Sequence, residues 1–421
     1  MAVDPRQVLG GFLTLSMFVM LGNMIKRDHF DDTDVVRLTE SSSVQFDAID
    51  IKEKTLEFAK VNVGPWMESK KEIKPCWTKL GSKEVDQSNG FITFSLTSGP
   101  EYHISQVADA VVIARYLGAS LVLPDIRGNE LGQKRNFEDM YDVEKFIRAL
   151  DGVIRIAREL PAEVAARKPA VVRVPSRVSK DFIVENIEPV FQTNNYLRLA
   201  IIFTSINLKM REVKNEELES TACLAMFGSL ELKPEIHQVA DRMVERLKIL
   251  SRESDGKFIA VDLRVDMLEK KSCKLSGGTK RKSCYNAQEV AEFLRKVGFN
   301  EDTTVYVTQT WWHESLNSLK EAFPKTYTKD DIIPTDKNSE YLKSGSGELA
   351  KALDFHICSE SDVFVPAVSS LFYGNVAGKR ITSGRTQILF PSEVIGSSAS
   401  VADFISTYVL KKNHIAYSCH C

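Results

Sequence analysis

The sequence predicts an α/β protein of two Rossmann-like halves facing a cleft, preceded by a single apolar segment of bilayer length. Three observations carry this. Strand-length apolar runs alternate with helical patterns, first over residues 91–124 and again from residue 257, the order that builds parallel sheets. The chain has 421 residues and 43% apolar content, enough for two sizeable cores. Residues Val8 to Ile25 carry no formal charge.

That uncharged run opens the chain. At about 1.5 Å per residue its eighteen positions span roughly 27 Å, close to the thickness of a bilayer core. It ends in Asn23-Met24-Ile25-Lys26-Arg27 without a small-residue cleavage site, so an uncleaved anchor over 7–26 is expected in preference to a signal peptide. Residues 1–6 then form a short cytosolic tail and 27–75, rich in charges of both signs, a stem. The large domain after a short tail implies a single-pass type II arrangement with a lumenal domain.

Phe91–Leu96 reads as a buried strand broken by Thr97-Ser98-Gly99-Pro100. A helix follows with Val107, Ala110, Val111, Ala114 and Leu117 on one face, then a strand from Ala119 to Leu123 closed by Pro124. This is a βαβ unit. Between 135 and 235 the pattern weakens to one strand at Val171–Val174, and a helical face runs from Leu232 to Leu250. The alternation then restarts. Strands are expected at Phe258–Arg264, Thr304–Thr308 and Asp362–Val365, and helices at Ala287–Val297, Leu316–Phe323 and Glu348–Ile357, with a closing helix beyond.

Composition excludes some classes. With 55 basic and 57 acidic residues the net charge is −2, leaving no basic excess for a nucleic-acid partner. The run Thr279-Lys280-Arg281-Lys282 reads as a solvated loop. Seven cysteines suit a secretory compartment, and the odd count leaves one thiol free. Cys273 and Cys284 are close enough to bridge a loop, while Cys419 and Cys421 sit in a terminal tail over 411–421. No zinc-type spacing occurs, and no metal site is expected.

In open α/β folds ligands bind beyond the carboxyl ends of the strands. The strand Lys257-Phe258-Ile259-Ala260-Val261-Asp262-Leu263-Arg264 delivers an Arg there, whose planar fork suits a phosphate. After the first strand come Gly99, Glu101 and His103, with Glu101 and His103 as candidate bases. Ser361 and Asp362 beside the last strand are candidates for reading a guanine or ribose. The helix through Tyr373-Gly374-Asn375 could aim backbone N–H groups at phosphate. Trp311-Trp312-His313 offers aromatic faces for sugar stacking or for an interface.

Several segments in one order resemble the plant O-fucosyltransferase-like glycosyltransferases over roughly residues 75–395. They are Asp109–Leu117 with Ala119–Pro124, Phe137–Val143, Ile259–Met267, Leu319–Pro324 with Tyr327-Thr328-Lys329, and Glu360–Val365. Within that family the chain most resembles the mannan synthesis-related proteins. The resemblance implies a GT-B-like fold, a Golgi membrane location, a GDP-sugar donor, and a mannan or glucomannan acceptor with mannan synthase as a partner. It further implies metal-independent inverting transfer with no cofactor. On this basis 76–240 is expected to be the acceptor-side domain and 241–410 the GDP-sugar side. The donor contacts implied are Gly99, Asp262, Arg264, Ser361, Asp362 and Asn375.

Two family positions differ. The family's His-Leu-Arg strand end reads Asp262-Leu263-Arg264, so Asp262 is expected to orient Arg264. The Gly-Gly-Leu-Asn loop reads Ser98-Gly99-Pro100-Glu101, with Ile104 in the place of an Arg. These departures support an alternative function, a catalytically silent relative that assists mannan synthase.

Overall fold

The computed structural model describes residues 65–66, 73–77, 88–97, 99–127, 134–203, 216–269, 284–343, 347–391 and 401–420. The expected anchor over 7–26, most of the stem, the Thr279–Lys282 run, Cys273 and Cys421 lie outside them. The type II Golgi membrane placement is corrected: among the described residues no helix is long and apolar enough to cross a membrane. The longest of these helices, Pro100–Leu117, is instead a core helix that buries Glu101, His103 and Asp109 against protein partners.

Two sheets lie within the compact unit Val61–Cys421. In the first, β1 (Phe91–Leu96) is central. It pairs in parallel with β2 (Ser120–Val122) and, past the kink at Pro124, with β3 (Asp125–Arg127), to which β4 (Lys134–Asn136) adds antiparallel. β5 (Ile156–Ala157) extends the sheet beyond β2, while β6 (Ala170–Pro175) and β7 (Tyr196–Ile202) extend it from the other side of β1. The second sheet, ordered β10-β9-β8-β11, is wholly parallel: β8 (Phe258–Asp262), β9 (Thr304–Val307), β10 (Thr326–Tyr327) and β11 (Val363–Pro366).

The main helices are α1 (Pro100–Leu117), α2 (Glu216–Phe227), α3 (Pro234–Leu250), α4 (Ala287–Val297), α5 (Glu348–Glu360) and α6 (Leu371–Thr382). Strand alternation decides how they share the core. Along β8, Phe258 and Ala260 face the large core that also holds β1, α1, α3 and α5, whereas Ile259 and Val261 face a second core under α4. One hydrophobic core therefore runs between the two sheets, and α3 packs directly on α5.

The carboxyl-terminal segment is not a loose tail. Cys419 is disulfide-bonded to Cys223 of α2, His414 is fully buried, and Pro75 bridges His420. Cys76 and Cys284 are also disulfide-bonded, and Cys358 is the free thiol among the described residues. Where the stem is described, Trp66 packs edge-on against Phe299, which ties that point to the second half.

Candidate functional site

The site forms where the carboxyl ends of β1 and β8 meet. Gly99 turns the chain from β1 into α1 at φ +108°, a conformation that side-chain-bearing residues rarely adopt. A Cβ there would also come within 2.7 Å of Glu101 Oε2 and 3.0 Å of the Lys351 stem. Glycine is thus needed twice, for the turn and for the approach of α5. Pro100 at the first helical position then starts α1.

Glu101 is buried in the first turn of α1, 3.9 Å from Lys351 Nζ. Burial pushes its carboxyl pKa up, and Lys351 and Arg264 pull it partly back. Its backbone carbonyl accepts a hydrogen bond from Asn375 of α6, so the expected donor-side Asn375 does meet the expected base. His103 lies two residues further along α1 and is fully buried, its Nδ1 2.7 Å from the Tyr141 hydroxyl. Burial, reinforced by Lys351, lowers its pKa to about 3. A ring so strongly held neutral is a weak proton acceptor, so Glu101 fits the role of base better than His103.

Arg264 leaves the end of β8 with Nε 3.3 Å from Asp262 Oδ1 and its guanidinium over the Phe372 ring at 5.3 Å. Burial opposes its charge, yet Asp262, Glu101, Asp354 and Asp266 hold it protonated above its ordinary range. Asp262 accepts from the Thr308 hydroxyl at 3.1 Å. Burial raises the pKa of Asp262, against the pull of Arg264 and Thr308. The turn is fixed from β9: Thr308 Oγ accepts from Leu263 N–H and Gln309 Oε1 accepts from Val265 N–H, both at 3.1 Å. Asp262 therefore does orient Arg264. With 17% of its side chain exposed, Arg264 keeps a face that a ligand could reach.

The turn after β11 enters the same region. Ala367 N–H donates to the Asp262 carbonyl, and Ser370 caps α6 by accepting from Tyr373 N–H. The amino end of α6 thus lies beside the strand end that carries Arg264.

Ser361 and Asp362 do not join this cluster. Asp362 precedes β11 and accepts from Phe258 N–H, at the amino end of the sheet. Ser361 and the Asp362 carbonyl are bound by the buried Arg380, which also gathers the Cys358 and Gln387 carbonyls. These two residues brace the opposite end of the sheet, away from Arg264. Trp311 is exposed, while Trp312 donates to Asn317 and carries Lys320 over its ring.

Sequence reasoning missed Lys351, Thr308, Gln309, Tyr141 and Phe372. It also missed a buried strut behind the site: Lys329 Nζ bonds both Asp354 oxygens, at 2.7 and 2.9 Å, and the Thr308 carbonyl. Tyr306 donates to the same Asp354 at 2.6 Å. Of these, Tyr141 and Lys329 stood inside segments already singled out and could have been found there.

A βαβ fold with Arg264 at a strand end, a glycine turn and a helix amino end is a layout suited to a nucleotide-linked substrate. The family model described as GDP-fucose protein O-fucosyltransferase matches residues 104–383, and the chain belongs to that family. It is 51% identical over its full length to the full length of Protein MANNAN SYNTHESIS-RELATED 1 of Arabidopsis thaliana. It is likewise 47% identical over the full length of both chains to Protein MANNAN SYNTHESIS-RELATED of Trigonella foenum-graecum. Among solved structures, the crystal structure of POFUT1 in complex with GDP is similar at 15% identity and a TM-score of 0.45, covering 72% of this chain and 99% of that one. Family membership supports a glycosyltransferase-like role related to mannan synthesis.

Proposed function

We propose that the protein transfers a sugar from a GDP-sugar onto mannan or glucomannan, with inversion and without a metal at the transfer site, in association with mannan synthase. Arg264 and the amino end of α6 neutralise the leaving diphosphate. Glu101 takes the proton of the acceptor hydroxyl, its raised pKa bringing it nearer the working pH. Asp262 and Asn375 position these two groups.

One observation carries this reading. Among the described residues six buried side-chain polar atoms lack a hydrogen-bond partner, and three of them are Glu101 Oε2, His103 Nε2 and Asp262 Oδ2. Leaving a buried polar group unpaired costs about 1–3 kcal/mol, so three on neighbouring site residues suit a polar ligand that would satisfy them.

The silent-relative reading rests on a different observation: Arg264 is already paired with Asp262, and Glu101 is only 4% exposed. Calorimetric titration with GDP and GDP-sugars separates the two. Binding that is lost in Arg264→Ala supports the enzyme; a correctly folded protein that binds neither nucleotide leaves the silent partner.

A further inference from the structure

Away from this cluster, two helices bring two imidazoles and a carboxylate to one point. His237 and Asp241 stand one turn apart on α3, and His356 reaches them from α5. His237 Nδ1 lies 2.8 Å from one Asp241 oxygen and His356 Nε2 lies 2.9 Å from the other. The two rings meet edge to face with centroids 4.6 Å apart. One ligand atom from each residue falls within 4.8 Å of the others. In a tetrahedral zinc site with bonds of about 2.0 Å, ligand atoms are separated by roughly 3.3 Å, so modest side-chain rotation closes the group onto an ion.

We propose that His237, Asp241 and His356 form a binding site for a divalent transition cation of the zinc class, which clips α3 to α5. The donor set is two imidazoles and one carboxylate, which suits zinc, cobalt, nickel or copper better than the oxygen-seeking magnesium or calcium. Three protein ligands leave a fourth position for water. The ion takes the place of the two N–H protons that Asp241 accepts, and each imidazole shifts its proton to its other nitrogen. The side chains of His237 and Asp241 are 48% and 55% exposed, which leaves the ion a path from solvent.

The position suggests a brace. Asp354 lies two residues before His356, about 200° around the helix, and faces the Lys329 strut. A clip at His356 thus fixes the outer side of the helix that brings Lys351 to Glu101, without touching the transfer site.

The test uses the full chain, stripped with a chelator and dialysed against zinc, with bound metal counted by mass spectrometry and melting followed in parallel. His237→Ala and Asp241→Asn alter exposed side chains, and equal melting of the metal-free proteins checks that they fold. The expected result is one more bound zinc in the parent than in either variant, with zinc raising the melting temperature of the parent alone. Zinc affinity at this site should fall by at least the roughly 10- to 100-fold that loss of an outer partner costs. Magnesium should give neither effect. Equal zinc content in parent and both variants, or equal zinc stabilisation, overturns the site and leaves Asp241 as a hydrogen-bond bridge between two histidines.

Discussion

Replacing Lys329 by Met removes one end of the buried strut while preserving the length of its stem. The Lys329 and Asp354 side chains are 2% and 5% exposed, so water cannot replace the lost partner. The variant loses two bonds to the carboxylate and one to the Thr308 carbonyl, leaving Asp354 only the Tyr306 hydroxyl among these partners. Breaking a buried pair from one side costs about 3–5 kcal/mol, and that loss is expected in urea unfolding with the slope unchanged. Burial already raises the pKa of Asp354, and losing Lys329 raises it further. A carboxyl whose folded pKa lies above its unfolded value costs stability as pH rises between the two, so the deficit should grow toward alkaline pH. Adding Asp354→Asn removes the stranded charge and should recover most of the loss. A deficit below about 1 kcal/mol, the size of an exposed ion pair, would refute the argument that the strut is sealed from water.

Four other outcomes are expected. Arg264→Lys should weaken GDP binding by roughly 10- to 150-fold in calorimetry, because one charge-assisted contact is worth about 1.5–3 kcal/mol and a point charge cannot reproduce a fork. Glu101→Gln should keep GDP affinity but cut transfer by at least about 10²-fold; because burial raises the Glu101 pKa, the ligand-free variant should also melt higher than the parent at neutral pH. GDP should bind more tightly as pH falls, with proton uptake visible as a buffer-dependent heat, since a diphosphate at Arg264 raises the Asp262 pKa that burial has already lifted. His414, buried and lowered to about 4, donates from Nε2 to the Gly374 carbonyl and accepts from Ala416 N–H at Nδ1. Stability should therefore fall as pH drops from 6.5 toward 4, by up to about 1.4 kcal/mol per pH unit, with a shallower fall in His414→Gln.

How much could be read from the sequence depended on whether the signal was local. β1, α1, β8 and α4 were legible because each is an unbroken apolar run or a helical stripe closed by a glycine or a polar break. β7 was missed although it pairs directly with β1: Arg198 interrupts its apolar pattern, and that Arg lies on the partly exposed face of the sheet, donating to the Ser95 hydroxyl. Arg264 announced itself as the charge at the end of a buried strand. Lys351 could not, since a Lys on a helix is ordinarily solvated, and only the packing of α5 on α1 brings it to Glu101. The separation of Ser361 and Asp362 from Arg264 was legible in the strand order. Residues that precede a parallel strand sit at its amino end, whereas ligands gather at the carboxyl end, so the turn after Pro366 was the better choice.

The substitution of Asp262 for the family's His is the point on which the two functional readings turn. A carboxylate beside an incoming diphosphate repels it when ionised, which favours a silent protein. In this fold, however, Asp262 is 1% exposed, and burial shifts it toward its protonated form. Arg264 and Thr308 oppose that shift without cancelling it. An anion arriving at Arg264 competes for the same guanidinium and weakens the strongest force keeping Asp262 ionised. Protonation then removes the repulsion, and the neutral carboxyl becomes a hydrogen-bond donor facing the ligand. The substitution therefore does not by itself forbid a diphosphate; on the proposed reading, it would couple binding of the diphosphate to uptake of a proton.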